Sequence, residues 1–487
     1  MIYYVSKQQN LFNDGTFKNI GIDECLSLLN RMPIIQVDTE TDGRDAHVNK
    51  VLCIQFGNDS LDCQIVVDTS TISLKLFKDI LESKYLILQN GKFDLQFLYN
   101  YAIHPLKVYD TMIVEQFLHL GYPPGSISYS LKEIAYRRLG INLDKSIRSQ
   151  IIWRGLDEEV ILYAANDVKY LEKIMHSQLK DLEKIPNALK GAKIECDFTP
   201  VIAYLEWCGI KLDKDKWKAK MVKDEANLEK AIKALNDFTI NNPSLSSFTY
   251  VDRQGDLFTG FDLTPKVTIN WSSSKQVIEV AKILGFDTKV QDKKTGEDKD
   301  SVLEKTLKCQ KGINDKFLDL YFKYQEYKKV VTSFGQGHID AINPITGRIH
   351  TIYKALGAAS GRMSCGSNQF NSDLAKIKHL NPKKCKYPNM QQLPANEDTR
   401  SAFVADKGNL MVDCDFSALE SRLGADIYQE KSMINEFLHG SGDMHSLCAK
   451  MVFHKELEGI DVKDIKSKRP DLRSKVKPIE LDCEDSL

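Results

Sequence analysis

The first third of the chain predicts an α/β fold in which helices flank a mixed sheet. The remainder predicts a helical region and then a second α/β segment. Three observations support this prediction. From about residue 191 to 340 the pattern changes to long, charged helices. After residue 340, turns marked by Pro and Gly precede an apolar strand that runs into a helix. Short apolar runs typical of buried strands lie at residues 33–40, 51–56, 64–68 and 85–88.

The bulk composition is typical of a globular protein that works inside a cell. The 487 residues predict two to four domains, and the 42% of hydrophobic residues supply ample core. No run approaches about eighteen apolar residues, and the start lacks the order of a signal peptide. The eleven cysteines form no C-x-x-C pair and predict reduced thiols. We therefore expect a cytoplasmic protein without a membrane partner.

Two pairs of polar side chains, three of them acids, stand close to the predicted strands of the first third. The first strand ends with Asp38 and Glu40, which point the same way because side chains alternate faces along a strand. Asn90 and Asp94 follow the fourth apolar run, and their four-residue spacing predicts that both lie on one helix face. Either pair alone is more often a set of surface polar groups.

A third pair, Tyr163 and Asp167, repeats the four-residue helical spacing. The four acids of these three groups would repel one another unless cations neutralised them. Divalent ions such as Mg²⁺ bind carboxylate oxygens, and two such ions can clamp the attacking and leaving oxygens of a phosphodiester. Three groups in this order therefore favour a metal-dependent nuclease centre over isolated surface acids.

The three motifs resemble those of the proofreading 3′-5′ exonuclease superfamily, in the subclass with a tyrosine in its third motif. The resemblance implies an RNase H-like fold and two Mg²⁺ or Mn²⁺ ions held by the four acids. It also implies that Tyr163 orients the attacking water, and that Asn90 contacts DNA. The matching segments are Val-Asp38-Thr-Glu40-Thr, Asn90-Gly-Lys-Phe-Asp94 and Tyr163-Ala-Ala-Asn-Asp167.

The helical middle region offers one lysine-rich helix with two possible uses. Its lysines could follow a DNA backbone, but interleaved acids cancel much of their charge. A solvated helix face is the favoured interpretation, and DNA binding stays open. The opposite face carries an apolar stripe: Trp217, Met221, Leu228, Ile232 and Leu235.

The last third contains a second set of motifs. An apolar strand at 409–413 is expected to end in carboxylates and to run into a helix, whose N-terminal amides can meet phosphate. Two loop motifs precede this strand, and either motif alone is typical of an ordinary loop. The motifs are Ser360-Gly361-Arg362, Pro388-Asn389-Met-Gln391 and Asp413-Cys-Asp415-Phe-Ser417-Ala-Leu-Glu420.

In this order, after an exonuclease pattern, the motifs resemble those of family A DNA polymerases, the class of bacterial DNA polymerase I. The resemblance implies that Asp415 binds the catalytic magnesium of the palm, with Asp413 as the second choice. It implies that Glu420 crowds the sugar of the incoming nucleotide. Arg473 and Lys477, one helical turn apart, match residues that grip the triphosphate. The positions that match primer-template contacts are Arg362, Asn389 and Gln391.

The chain departs from the family pattern in two places. Residues 365–387 are an insertion of roughly twenty residues with five lysines. A basic loop near the duplex and a solvated insertion are about equally consistent with it. After Lys477 the chain reads Pro478-Ile-Glu-Leu-Asp-Cys-Glu-Asp-Ser-Leu487, and the second palm carboxylate motif of the family is missing. We therefore expect a polymerase truncated within the fingers, with an incomplete polymerase centre.

These observations predict a replicative family A DNA polymerase with a complete 3′-5′ proofreading exonuclease. We expect an exonuclease domain at 1–190, a thumb-like helical region at 191–340, and a partial palm and start of the fingers at 341–487. A bacterial or phage-infected cytoplasm would be its location. The net charge of −1 neither supports nor excludes nucleic-acid binding.

The implied partners are a single-stranded DNA 3′ end and a primer-template. Deoxynucleoside triphosphates would join them if a downstream segment or a second chain completed the polymerase. Two alternatives stay open: a stand-alone exonuclease with a DNA-binding extension, and a non-catalytic DNA-binding remnant of a polymerase.

Overall fold

The computed structural model describes residues 1–8, 17–123, 125–144, 147, 150–251, 255–256, 260–261, 265–291 and 296–476. The contacts between residues divide the chain into two compact units, Met1–Asp406 and Lys407–Leu487. Lys477, a predicted triphosphate contact, lies outside the described residues. In the described part of the chain, every helix is too short or too polar to cross a membrane.

A seven-stranded mixed sheet forms the centre of the first unit, which confirms the predicted α/β class. Its strand order is β2-β1-β5-β4-β3-β6-β7. Strand β3 pairs antiparallel with β4 and parallel with β6, so it lies inside the sheet with a partner on each side. The strands are β1 Ile2–Val5, β2 Phe17–Asn19, β3 Ile34–Thr41, β4 Val51–Asn58, β5 Cys63–Asp68, β6 Tyr85–Leu88 and β7 Val108–Asp110.

Helices cover both faces of this sheet. One face packs Ile35 and Phe56 against Leu29 of the first helix. On the other face, Ile161 of the seventh helix packs against Val66. The helices are α1 Ile22–Arg31, α2 Lys78–Ser83, α3 Lys92–Tyr99, α4 Thr111–Leu118, α5 Leu131–Leu139, α6 Ile151–Arg154, α7 Glu158–Val168, α8 Leu171–Leu182 and α9 Ala188–Cys208.

The middle of the chain is mainly helical, as the sequence predicts, and short strands lie between α10 and α12. The apolar stripe on α10 faces two cores: Trp217 lies in one, and Leu235 lies in the other. Both side chains are fully buried. The helices are α10 Lys214–Ile240, α11 Ser274–Ile283, α12 Glu304–Lys308, α13 Asp315–Ser333 and α14 Gln336–Asp340.

One lysine of α10, Lys220, has a structural role that neither sequence interpretation proposed. Lys220 is buried, forms an ion pair with Asp224 and donates a hydrogen bond to the Phe334 carbonyl at 3.1 Å. Its ammonium also lies 4.7 Å from the centroid of the Trp217 ring. A buried charge requires such partners because desolvation alone would expel it. Lys220 is therefore unavailable to a DNA backbone.

Short strands connect the helical region to the later part of the first unit. Strand β8 (Ile210–Leu212) pairs with β15 (Arg348–Ile349) and with β20 (Phe403–Val404). The domain boundaries near residues 190 and 340 stay predictions. The remaining elements are β9 Thr249–Val251, β10 Gly255–Asp256, β11 Gly260–Phe261, β12 Pro265–Val267, β13 Lys289–Gln291, β14 Asp298–Asp300, β16 Tyr353–Lys354, β17 Ser364–Cys365, β18 Ser367–Phe370, β19 Lys386–Tyr387, α15 Ser372–Ile377 and α16 Glu397–Arg400.

The second unit is helical where it is described. The strand predicted at 409–413 does not form, and Leu410 and Val412 are 90% and 79% exposed. This prediction was wrong because a strand requires a neighbour for its backbone groups, and no strand of the described residues pairs with this segment. The helices are α17 Leu419–Tyr428, α18 Lys431–His439, α19 Met444–Val452 and α20 Val462–Lys468.

Acid should destabilise the first unit through His338. This ring packs 4.8 Å from Trp217 between centroids, and burial together with the nearby Lys220 ammonium lowers the pKa of His338 to about 4. The unfolded chain binds the proton near pH 6.5, so stability is present above that pH and is lost as the pH falls towards 4. We expect His338 to contribute a loss of about 3 kcal/mol over this window.

Chemical denaturation at pH 7 and pH 4.5 measures this loss. His338→Phe keeps a buried ring without a titrating group and should lose less stability between the two pH values than the wild type. Burial also lowers the pKa of His350 to about 4, so the variant retains part of the sensitivity. His176→Phe, at an exposed histidine of α8, is the control. Equal pH dependence in the wild type and His338→Phe would contradict the assignment.

Candidate metal centre

Three carboxylates from two elements meet at the carboxyl end of β3. Asp38 and Glu40 project from the same face of the strand, and Asp167 projects from α7. One ligand atom from each lies within 4.8 Å of the other two. In the described part of the chain, this is the one cluster of at least three His, Cys, Asp or Glu side chains with metal-binding spacing. Oxygen ligands without nitrogen or sulfur suit Mg²⁺ or Mn²⁺.

Helix α7 holds Asp167 in place through its contacts with the sheet. The Asp157 side chain caps its N-terminus by accepting a hydrogen bond from the Val160 amide at 2.9 Å. Tyr163 lies one turn before Asp167 on the same helix, as its spacing predicts, and is 5% exposed. Its ring packs against Ile151 and Val160. The tyrosine is thereby buried on the helix that carries Asp167, and its role in orienting water stays a prediction.

Asp94 is placed differently from the other three acids. It is fully buried, and its Oδ1 accepts a hydrogen bond of 2.6 Å from the Thr39 hydroxyl. Thr39 lies between Asp38 and Glu40 on β3, so this hydrogen bond connects Asp94 to β3. Asp94 is not part of the three-carboxylate cluster. Burial raises the pKa of Asp94 to about 7, and the hydrogen bonds from Thr39 oppose that rise. Its role as a metal ligand stays a prediction.

Asn90 and Asp94 do not share a helix face, which corrects the sequence prediction. Helix α3 begins at Lys92, and Asn90 precedes it with a left-handed φ of 60°. The cause is Asp110 at the end of β7. Its carboxylate accepts hydrogen bonds from the Asn90 amide at 3.0 Å and from the Gly91 amide at 2.8 Å. This interaction turns the chain before the helix starts, and asparagine tolerates the left-handed conformation.

The carboxylates open into a cleft of about 940 Å³. Arg44 and Lys132 bring positive charge to its lining, and Asn90 also lies there. Lys92 lines the cleft as well, but it pairs with Glu206 at 2.6 Å. The outer part of the lining comes from the insertion, through Gln369, Phe370, Asn371, Ser372, Asp373 and Tyr387. The lining of the cleft therefore combines the carboxylates with two cations and with aromatic side chains.

The residues predicted to contact a primer-template lie close together in the first unit. The Gln391 amide donates a hydrogen bond of 3.2 Å to the Met363 carbonyl, next to Arg362. Asn389 caps the short helix Met390–Gln392 by accepting a hydrogen bond from the Gln391 amide nitrogen at 3.0 Å. Arg362 and Gln391 are exposed. Contact with DNA stays a prediction for all three.

In the second unit, the predicted polymerase acids Asp415 and Glu420 are both exposed. Arg473 makes two hydrogen bonds of 2.9 Å to the Asp443 carboxylate, so its guanidinium is already occupied. Burial raises the pKa of Asp443, but hydrogen bonds from Arg473 and Ser446 outweigh that effect and lower it overall. A cavity of about 390 Å³ lies beside this pair.

Sequence reasoning missed several residues that shape these sites. Asp110 follows an apolar strand and precedes a helical pattern, which is the usual place of an N-cap, and this signal could have identified it. Lys463 and Lys466 line the cavity of the second unit. Their three-residue spacing on α20 places both on one face. Nothing in the local sequence predicts that residues 365–387 pack against the cleft.

Two family profiles match the chain. The profile described as 3′-5′ exonuclease matches residues 16–183, and the profile described as DNA polymerase family A matches residues 261–480. The first match covers the strand and helices that carry the carboxylate cluster. The second covers the helical region from α11 onwards and the motifs of the last third.

Relatives named DNA polymerase I align with most of the chain. The Aquifex aeolicus protein is 26% identical over 90% of this chain and 67% of its own length. The Pseudomonas aeruginosa protein is 25% identical over 92% of this chain, but only 46% of its own length is covered. The solved POL domain of Pol1 from M. smegmatis has a TM-score of 0.65, with 19% identity over 94% of this chain and 69% of that chain. It shares the fold.

The carboxylate cluster predicts that divalent ions stabilise the first unit. Binding to the folded state alone adds about 2.7 kcal/mol when the ion exceeds its Kd a hundredfold, so Tm should rise by several degrees in MgCl₂ or MnCl₂ over EDTA. Asp38→Asn should raise Tm in EDTA, because it relieves repulsion, and should abolish the rise with metal. Asp79→Asn, at an exposed acid of α2, is the control. An undiminished rise in Asp38→Asn would contradict the assignment.

Proposed function

We propose that this chain, which matches the profiles of a 3′-5′ exonuclease and of DNA polymerase family A, removes nucleotides from DNA 3′ ends at the centre formed by Asp38, Glu40 and Asp167. The observation that carries this proposal is the convergence of the three carboxylates within 4.8 Å at the floor of a cleft. The exonuclease match covers all three residues.

Divalent metal is the cofactor that fits this centre. The cluster offers only carboxylate oxygens, and Asp94 lies close enough to share a hydrogen bond with the strand that carries two of them. Bound Mg²⁺ or Mn²⁺ would supply the positive charge that activates water and stabilises the leaving oxygen. The carboxylates hold that charge, and the Tyr163 phenol orients the water that attacks the phosphorus.

We propose a single strand of DNA as the substrate that this cleft binds. Its acidic floor repels phosphates that metal does not neutralise, while Arg44 and Lys132 offer charge to the phosphates further along the strand. Asn90, held at its turn by Asp110, faces the terminal nucleotide in this proposal. The partner is therefore a single-stranded 3′ end of the kind that a mispaired primer provides.

Polymerase chemistry is the second function to consider. The polymerase match includes Arg362, Asn389, Gln391, Asp415, Glu420 and Arg473, which supports primer-template and nucleotide binding as proposals. The cavity of the second unit adds Lys463 and Lys466, whose charges suit a triphosphate. We propose Asp415 as the residue that would bind magnesium. The chain spans two thirds or less of the relatives described above, so the activity of those longer proteins is proposed for this chain only in part.

Removing the carboxylates should abolish the exonuclease. We expect Asp38→Ala/Glu40→Ala and Asp167→Ala each to lower the rate on single-stranded DNA by orders of magnitude, because both metal occupancy and charge neutralisation are lost. Tyr163→Phe should reduce the rate less, because the carboxylates remain. Release of labelled nucleotides from a 3′ end measures each rate, with Asp79→Ala as the control. Wild-type degradation by the double variant would refute the site.

A protein of residues 1–487 should degrade 3′ ends without adding nucleotides. Asp415 is exposed, and among the described residues it belongs to no group of three or more His, Cys, Asp or Glu side chains with metal-binding spacing. A primer-extension assay with all four deoxynucleoside triphosphates tests this, in the Asp38→Ala/Glu40→Ala background to prevent degradation. Template-directed extension that Asp415→Ala abolishes would overturn the prediction. The exonuclease proposal would be unaffected by that result.

A further inference from the structure

We propose that the insertion at residues 365–387 is a wall of the exonuclease cleft, and that Phe370 stacks on a base of the single strand bound there. The inference rests on the proposed exonuclease function and adds a strand-binding site outside the metal centre. The structure packs this segment against the first unit, so it is more than a solvated insertion, and its contact with a duplex stays a prediction.

The insertion is an ordered element with its own small core. Strands β18 and β19 form a hairpin, and the Asn371 amide nitrogen donates a hydrogen bond of 2.8 Å to the Cys385 carbonyl. Leu374, Ala375 and Cys385 are buried together beneath α15. Lys378, one of the five lysines, points inwards and donates hydrogen bonds to the carbonyls at the end of α14: Ile339, Asp340 and Ile342.

Hydrogen bonds fasten this element to the loop that follows the metal strand β3. The Asp373 carboxylate accepts hydrogen bonds from the Arg44 amide nitrogen at 2.9 Å, the Asp45 amide nitrogen at 3.3 Å and the Asn49 side chain at 3.0 Å. Asn371 donates a hydrogen bond of 3.2 Å to the Asp45 carboxylate. Asp373 is 9% exposed, so these bonds are shielded from water. The wall is therefore held at a fixed place relative to Asp38 and Glu40.

Phe370 is the side chain through which this wall can hold a strand. It lines the same cleft as the carboxylates and is 41% exposed, so part of its ring is accessible to a bound strand. The Lys386 ammonium lies 5.9 Å from the centroid of its ring. An aromatic face next to a cation matches a base and its phosphate, and such stacking tolerates any base. Phe370 would thus hold a nucleotide on the 5′ side of the one that is removed.

The test compares a substrate that fills only the metal centre with one that reaches the wall. The p-nitrophenyl ester of thymidine 5′-monophosphate is the short substrate, and a ten-residue single-stranded oligothymidylate is the long one. Phe370→Ala should raise KM for the oligonucleotide by roughly tenfold or more, by loss of one stacked base. Its kcat should stay within about twofold, and kcat/KM for the ester should be unchanged.

Three further variants separate stacking from structural damage. Phe370→Tyr keeps the aromatic face and should behave like the wild type. Asp373→Ala detaches the wall and should raise KM for the oligonucleotide while sparing the ester. Tyr136→Ala, at a tyrosine that is 63% exposed outside the cleft, should change neither substrate. Equal effects of Phe370→Ala on both substrates would mean a folding defect and would overturn the proposal.

Direct binding distinguishes failure of this inference from failure of the proposed function. In the Asp38→Ala/Glu40→Ala background, fluorescence anisotropy should show about tenfold weaker binding of the oligonucleotide when Phe370→Ala is added. A wild type that hydrolyses neither substrate would refute the exonuclease. A wild type that hydrolyses both, with Phe370→Ala identical in KM and in binding, would refute the wall. Weakened binding of duplex primer-template alone would place the insertion at the duplex and would also refute it.

Discussion

The constraint on which the first unit depends is the mutual repulsion of three carboxylates held within 4.8 Å. Like charges at this separation favour any movement that takes them apart. The scaffold resists because two of the acids share a strand with a hydrogen-bonded neighbour on each side, and the third lies on a helix packed over the sheet. Rigid elements, rather than loops, keep the site ready for metal.

Asp110 supports the site without being part of the carboxylate cluster. Besides holding the turn at Asn90 and Gly91, its carboxylate accepts hydrogen bonds from the Met112 and Ile113 amides at the start of α4. The buried Asp110 carboxylate thus fixes both Asn90, which lines the cleft, and the start of α4. Burial raises the pKa of Asp110, and the four amides oppose that rise. Such a residue acts on the site without touching it.

Much of the metal centre followed from local periodicity in the sequence. The two-residue period of a strand placed Asp38 and Glu40 together, and the helical period placed Tyr163 beside Asp167. The prediction for Asn90 was wrong because a distant carboxylate, not helix propensity, sets its backbone conformation. The strand at 409–413 failed because strand formation depends on a partner, which a local pattern cannot supply. The placement of the insertion depends on contacts with residues far earlier in the chain.

The bond between Asp373 and the Arg44 amide spans 329 positions of the sequence. A ribosome that adds about 5–20 residues per second reaches Asp373 on the order of tens of seconds after Arg44. The sheet with its metal strand can fold in that interval, since domains fold as units during synthesis. Its cleft is completed only when the insertion emerges. Until that point in translation, the nascent chain therefore carries an acidic centre without the part of its cleft that the insertion forms.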